Sequence, residues 1–456
     1  MNNYYILGLD IGSVNISAAI AKFSPDSDNL SISGIGRART NGLKKGVVTN
    51  IEKASTSIRQ AAKEAMKTAG CKPDRVVVSI AGAYTGSVKS QGIVSVPSGE
   101  ISINEIKRAM QMAQDNAIID KDQVILHVLP YEFKVDGQDH IEDPIGMSGS
   151  RLEVFTHVIT AEGNSIRNLI KATNMAGLKI DNMVLAGYAS ALATLTKDEK
   201  ELGVGLIDLG GATCDIVVHL GNSIVYNDTL PVGSTNITMD LSRALNTPLA
   251  NAEEIKINYT KLLESGVSEL QLPTMGEVSL THEASMDIVT KVIYARIEET
   301  ILLLLNKFEN SGYLNKLGSG LVLTGGMSKL DDIRNLTSLM FDNIPVRIAK
   351  PRSVDGLFEV SEDAKNSCVV GLCLYGSGEF TRYEIDSNGE LKYKDSHLKS
   401  MTSTKSVNSA PVIEKEKVEY KEDKSEDLIK ISKISEKNAE DMHTFTKILN
   451  RLKQLF

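Results

Sequence analysis

The sequence predicts an α/β protein of two related lobes that face each other, with a small subdomain inserted into the first. Three features lead there. A strand–turn–strand unit from Tyr4 to Phe23, hinged on Asp10-Ile11-Gly12-Ser13, recurs from Gly203 to Leu220, hinged on Asp208-Leu209-Gly210-Gly211-Ala212-Thr213. Recurrence of one unit, an Asp and glycine between two apolar strands, marks a duplicated architecture. Helical segments alternate with strands, the pattern of layered α/β folds. Between Gly86 and Val158 the chain carries short strands and one helix of its own, enough for a separate insertion.

Along the chain, Asn50 can cap a helix that runs to Ala69 and stops at Gly70. An Asn side chain satisfies the first unpaired amides, and glycine accepts the left-handed turn that ends a helix. By the same signs Asn164 opens a helix that stops at Gly177. Inside the insertion, Ser102-Ile103-Asn104-Glu105 is a capping box. Gly320-Leu321-Val322-Leu323-Thr324 reads as a strand, Gly325-Gly326 as a bare turn and Ser328 to Phe341 as a helix. From Gly378 to about Glu440 Lys, Glu and Ser dominate, the composition of a flexible, disordered linker. The stretch from Asp441 to Phe456 breaks that pattern. Phe445, Ile448, Leu449, Leu452, Leu455 and Phe456 fall within roughly 120° at a helical repeat, with Lys447, Arg451 and Lys453 outside the stripe. Laid flat, such a C-terminal amphipathic helix suits a membrane interface; docking on the protein's own body or on a partner is the alternative.

Composition narrows the function. A chain of 456 residues exceeds the ~250–300 that one core usually spans. Trp is absent and aromatics reach only 5%, so rows of base-stacking rings are missing, and a net charge of -8 opposes phosphate-backbone binding. Nucleic acid is not an expected partner. Three basic residues against one acidic in 441–456 give an acidic body a basic tip, which suits an anionic membrane surface. Cys71, Cys214, Cys368 and Cys373 form no CxxC pair and lack His at metal-ligand spacing, so neither a disulfide framework nor a zinc site is expected and a reducing cytoplasm fits. Met1 leads straight into the strand-like Tyr4–Leu9, and no apolar run nears ~18 residues, so neither a leader nor a spanning helix is expected.

The turns carry the candidate chemistry. A tight turn between strands brings backbone N–H groups onto a phosphate only where side chains stay clear, which Gly12, Gly210 and Gly211 allow beside Ser13 and Thr213. Asp10 and Asp208 would face the phosphates through hydrated Mg²⁺, a hard cation that prefers carboxylate and water oxygens. Gly325-Gly326 would let a flat adenosine lie against the backbone, although a close strand–helix crossing would use the same glycines. Glu253 and Lys256, three apart, share a helix face and can reach ribose and base edges or form a solvated ion pair.

In order, Asp10-Ile11-Gly12-Ser13, Asp208 to Thr213 and Leu323-Thr324-Gly325-Gly326 resemble the two phosphate motifs and the adenosine motif of the actin/Hsp70 superfamily. Within it, His127-Val128-Leu129-Pro130, Gly146-Met147-Ser148-Gly149, Ala252-Glu253 with Ile255-Lys256, and Val370-Gly371-Leu372 resemble the bacterial division family FtsA, over roughly residues 4–376. The sequence departs from the superfamily pattern in three places: Ala212 replaces a third glycine, Asn15 stands where a Lys is frequent, and Ala186-Gly187-Tyr188-Ala189 lacks a Glu-Pro. No general base for hydrolysis is identifiable, so no catalytic residue is assigned, and ATP binding with weak or no ATPase activity is expected.

The resemblance implies an actin-like (ribonuclease-H-like) two-lobed ATPase fold. It divides the chain into a first-lobe core, 1–85 and 159–200, an inserted subdomain at 86–158, and a second-lobe core, 201–234 and 311–377. An outer subdomain at 235–310, a linker at 378–440 and a membrane-targeting helix at 441–456 complete the division. It further implies ATP and Mg²⁺ as ligands and self-assembly into protofilaments. The expected partners are the C-terminal peptide of the tubulin-like FtsZ on the outer subdomain, and downstream division proteins on the insertion. A helix between Ala284 and Phe308, bearing Lys291 and Arg296, is the expected FtsZ site, and the cytoplasmic face of the inner membrane at the division site the expected location. Other actin/Hsp70-superfamily ATPases, such as an MreB-like or pilus-assembly filament protein, a chaperone or a sugar kinase, are the alternatives.

Overall fold

The chain enters its fold through an antiparallel meander, β1 (Tyr4–Ile11), β2 (Asn15–Ser24) and β3 (Asn29–Arg39), whose apolar residues are almost all buried. The structure is a computed structural model and describes residues 3–393 except 222, 353, 358, 359 and 361. The described residues belong to one unit, Met1–Asp395. Phe445, Lys447, Ile448, Leu449, Arg451, Leu452, Lys453, Leu455 and Phe456, the residues expected to meet a membrane, lie outside the described residues.

Two short strands, β4 (Leu43–Lys44) and β5 (Val47–Val48), lead to α1 (Ile51–Ala69). Asn50 Oδ1 accepts from the Lys53 amide and Gly70 closes the helix at φ 68, the two caps read from the sequence. After β6 (Arg75–Ile80) comes the insertion: β7 (Thr85–Ser95), α2 (Ile103–Asn116) with both bonds of its capping box, β8 (Gln123–Val135), β9 (Gln138–Ile141) and β10 (Arg151–Glu162). The chain returns through α3 (Gly163–Met175), β11 (Asn182–Leu185), α4 (Ala186–Thr194) and α5 (Lys197–Leu202). Helix α3 begins one residue before the expected cap, with Asn164 inside its first turn and its side chain bonded to Arg167 instead of to a helix amide.

The second lobe repeats the meander in β12 (Val204–Leu209), β13 (Cys214–Leu220) and β14 (Ser223–Leu230). Its outer part holds α6 (Ser234–Ala244), α7 (Leu249–Ile257), α8 (Tyr259–Glu264), the hairpin β15 (Glu269–Thr274) and β16 (Glu277–Ser285), and α9 (Met286–Ser311). Then come β17 (Leu321–Thr324), α10 (Ile333–Met340), β18 (Val346–Ile348), β19 (Asp355–Gly356) and α11 (Ser367–Ser377). The helix expected from Ser328 to Phe341 is two pieces, a 3-10 turn over Gly326–Lys329 and α10, because Asp332 adopts a left-handed φ of 57 between them. On α9, Lys291 pairs with Asp287, and Arg296 with Asp240 and Glu299, so an acidic peptide would meet cations that already have carboxylate partners.

The duplication is visible in the sheets. The first has the order β11-β6-β1-β2-β3-β19 and the second β14-β13-β12-β17-β18, each an antiparallel meander extended by parallel strands. Helix α1 covers one face of the first sheet, while α11 and α4 cover the other. The insertion forms a separate sheet, β7-β10-β8-β9, around its own apolar core.

The expected linker starts later than residue 378. Tyr383, Glu384, Ile385 and Asp386 are buried, and Tyr383 and Ile385 join the core of the insertion. Among the described residues no helix is long and apolar enough to cross a membrane.

Candidate functional site

The two meanders end in matching turns. Ile11 pairs with Ile16 and Leu209 with Cys214, so Gly12–Asn15 and Gly210–Thr213 are four-residue turns of the same register. A Cβ on Gly12 would stand 2.7 Å from the Asn15 carbonyl, and one on Gly210 2.6 Å from the Thr213 carbonyl, so both turns need glycine at the same place. A Cβ on Gly211 would lie 2.4 Å from Cγ2 of Val14, which shows how closely the two turns approach each other.

Between them lies a cleft of about 480 Å³. It is lined by every residue proposed from the sequence as a ligand-binding group: Asp10, Gly12, Ser13, Asp208, Gly210, Gly211, Thr213, Glu253, Lys256, Gly325 and Gly326. Asp10 accepts a hydrogen bond from Ser79 Oγ at 3.0 Å, and Asp208 from Ser190 Oγ at 2.5 Å. Burial pushes Asp208 up to about 7, against the Ser190 hydrogen bond and with help from the negative charge of Asp215 and Asp10. Burial likewise raises Asp10, against hydrogen bonds from Ser79 and Cys368.

Sequence reasoning missed several lining groups. Asp215 pairs across the strands with Asp208 as Ser17 does with Asp10, so the duplication itself pointed to both positions. Burial pushes Asp215 up to about 6, against the hydrogen bond from Thr229 Oγ1. Arg37, Lys329 and Lys365 bring positive charge to the same cleft. They come from β3, the 3-10 turn and the approach to α11, and no local motif marks them.

The Glu253/Lys256 pair does not present two exposed reaching groups. Lys256 is buried, and its Nζ donates to Glu253 Oε2 at 2.8 Å, Thr238 Oγ1 at 3.0 Å and the Ser234 carbonyl at 3.2 Å. It therefore fixes α7 against α6, while the half-exposed Glu253 keeps an edge toward the cleft. Gly325, at φ 87, has no room for a side chain, since a Cβ would sit 2.3 Å from Asp208 Oδ1. Gly326 is different: a Cβ there would meet nothing nearer than Lys365 Cβ at 3.9 Å.

These residues fit a phosphate-bearing ligand and a hydrated divalent cation. Three aspartates and Glu253 line one cleft, yet among the described residues no Asp, Glu, His or Cys group is arranged to hold a metal directly. An ion keeping its own water shell meets both conditions.

The raised Asp208 has a measurable consequence without any ligand. Its folded pKa lies above its ordinary value, so the folded state holds a proton the unfolded chain has released. Its contribution therefore turns increasingly against folding as pH rises from near 4 to near 7, and is complete above that. Ligand-free Asp208→Asn, which keeps an acceptor for Ser190, should be more stable than wild type at pH 8 by on the order of 1–3 kcal/mol, a figure reduced because Asp208 is only partly buried. Scanning calorimetry should show the gain shrinking to nothing near pH 4.

Comparison with known proteins agrees with this architecture. A family model described as the SHS2 domain inserted in FTSA matches residues 82–160, and one described as cell division protein FtsA matches residues 205–371. The cell division protein FtsA of Helicobacter pylori (strain J99) is 38% identical over 426 residues, covering 86% of this chain and 85% of the relative. That of Pseudomonas aeruginosa is 38% identical over 374 residues, covering 81% and 89%. Among solved structures, a chain of the PilM-PilN type IV pilus biogenesis complex superposes with a TM-score of 0.58 at 18% identity, over 82% of this chain and 98% of that one, a likeness of fold alone. On an actin-like fold with the SHS2 insertion in its first lobe, the chain belongs to the FtsA family of cell division proteins.

Proposed function

We propose that the protein binds ATP with Mg²⁺ between its lobes, assembles with copies of itself, and holds FtsZ filaments to the cytoplasmic face of the cell membrane at the division site. Later division proteins would be recruited through the insertion. The observation that carries the nucleotide part is the pair of register-matched glycine turns approaching each other over a carboxylate-lined cleft. Backbone amides of the two turns would hold the phosphates, with Ser13 and Thr213 beside them, while Asp10 and Asp208 would hold the hydrated Mg²⁺. Glu253 would meet the ribose, and Gly325-Gly326 would support the base. The cation supplies neutralisation of phosphate charge.

Hydrolysis is expected to be slow or absent. Ala186, at the start of α4, brings only a methyl group to the cleft, and Ala212 occupies the second turn. Membership of the division family favours this reading over a pilus-assembly filament, a chaperone or a sugar kinase.

The test is calorimetric titration of ATP with and without Mg²⁺, followed by imaging of a fluorescent fusion in cells with and without FtsZ. Mg²⁺ should tighten ATP binding, and Asp208→Ala should remove most of that gain while leaving metal-free binding nearly unchanged. Rings at mid-cell that vanish without FtsZ are expected. Diffuse fluorescence in dividing cells would defeat the scaffold reading.

A further inference from the structure

The segment after α11 joins three parts of the body. Past Gly378 the chain turns back, and Ile385 exchanges both backbone hydrogen bonds with Val128 of β8, at 3.0 and 2.9 Å. Tyr383 stands in a left-handed turn, at φ 65, two residues before the bridge at Ile385. Here Tyr383 and Ile385 enter the core of the insertion, the Tyr383 ring standing edge-on to Phe133 at 5.9 Å and its hydroxyl donating to Asp143 at 2.7 Å. Glu384 and Asp386 face the first lobe. Glu384, wholly buried, accepts from Tyr188 Oη at 2.6 Å and Tyr375 Oη at 2.5 Å, while Asp386 accepts from Asn182 of β11 at 2.7 Å.

The same Tyr188 belongs to α4, all of whose residues are buried. Two positions further on, Ser190 donates to Asp208 in the cleft. The helix is wedged tightly: a Cβ on Gly187 would stand 2.8 Å from Val217 of β13, and one on Gly371 of α11 would stand 1.8 Å from the Ala189 carbonyl. A short helix without side-chain slack moves as one piece, so a shift of Asp208 against Ser190 must also shift Tyr188 against Glu384.

We propose that residues 379–393 are a clasp that fixes the inserted sheet to the first lobe, and that α4 lets the state of the cleft set how firmly the clasp holds. A closed, occupied cleft keeps Ser190 on Asp208 and Tyr188 on Glu384; an open cleft loosens both. A buried carboxylate suits such a release point, because losing one donor leaves it costly to keep inside. The coupling rests on the nucleotide reading of the cleft, whereas the clasp does not.

Hydrogen exchange of the full chain tests both parts. ATP–Mg²⁺ should slow exchange of backbone amides in 379–393 and at Val128 by about tenfold or more. Tyr188→Phe, outside the cleft, should raise exchange there in the ligand-free protein and erase most of the nucleotide response, with ATP affinity by calorimetry within about threefold of wild type. Thr381→Val, which removes a second partner of Tyr188, should act in the same direction if Tyr188→Phe folds poorly. Unchanged clasp exchange in a protein that binds ATP would overturn the coupling. Failure to bind ATP would overturn the nucleotide reading and the coupling with it, and unchanged ligand-free exchange in Tyr188→Phe would overturn the clasp.

Discussion

Gly326→Leu should fold with a melting temperature close to wild type and lose ATP binding by at least ~100-fold, the equivalent of about 2.7 kcal/mol. The position has space for a Cβ, its nearest neighbour being Lys365 Cβ at 3.9 Å, and it lines the cleft, so a larger side chain grows into the ligand's volume instead of into the protein. Gly325 gives a different result. Its φ of 87 and the 2.3 Å approach to Asp208 Oδ1 mean that even Gly325→Ala must displace the carboxylate or the backbone, so it should lose stability as well as binding. Gly326→Ala, adding one methyl, should fall between wild type and Gly326→Leu. Thermal melts with calorimetric ATP titration separate these cases, and a Gly326→Leu protein that melts like wild type and binds ATP normally would remove the base from this part of the cleft.

The difference between these neighbours was not legible in the sequence, where Gly325-Gly326 is one bare turn; it exists only in backbone angles. What repeats was legible. The two Asp/Gly turns are recognisable because the same strand–turn–strand pattern occurs twice, and the structure gives them the same register. Partners brought in by tertiary packing left no local trace, as with Ser79 on Asp10 and Ser190 on Asp208. Lys256 illustrates the opposite failure: its spacing from Glu253 was readable, but not that α6 would cover its ammonium. The clasp was hidden by averaging, since Tyr383 and Ile385 are two apolar residues in a polar neighbourhood, too short an alternation to stand out from the linker composition.

Removal of the final sixteen residues should abolish sedimentation with anionic liposomes, the other large effect expected. At a helical repeat, residues 441–456 would place six apolar side chains on one stripe, worth ~1.5–3 kcal/mol each if fully buried. Interfacial burial is partial and ordering the segment costs entropy, so the net attraction of one copy is far smaller than the sum. Lys447, Arg451 and Lys453 would add up to ~1 kcal/mol each near acidic headgroups. A single helix of this kind binds reversibly, and assembly of many copies on one polymer would turn weak contacts into lasting attachment. Three full-length or truncated proteins decide it: wild type, a truncation after Glu440, and Leu449→Glu, which places a charge in the middle of the stripe. Both variants should stay in the supernatant and bind ATP as wild type does, since neither change touches a residue of the cleft. Raising the salt should weaken wild-type sedimentation only in part, because the apolar contribution is not screened. If the truncated protein still sediments, the stripe docks on protein, and the attachment to lipid must come from elsewhere in the chain.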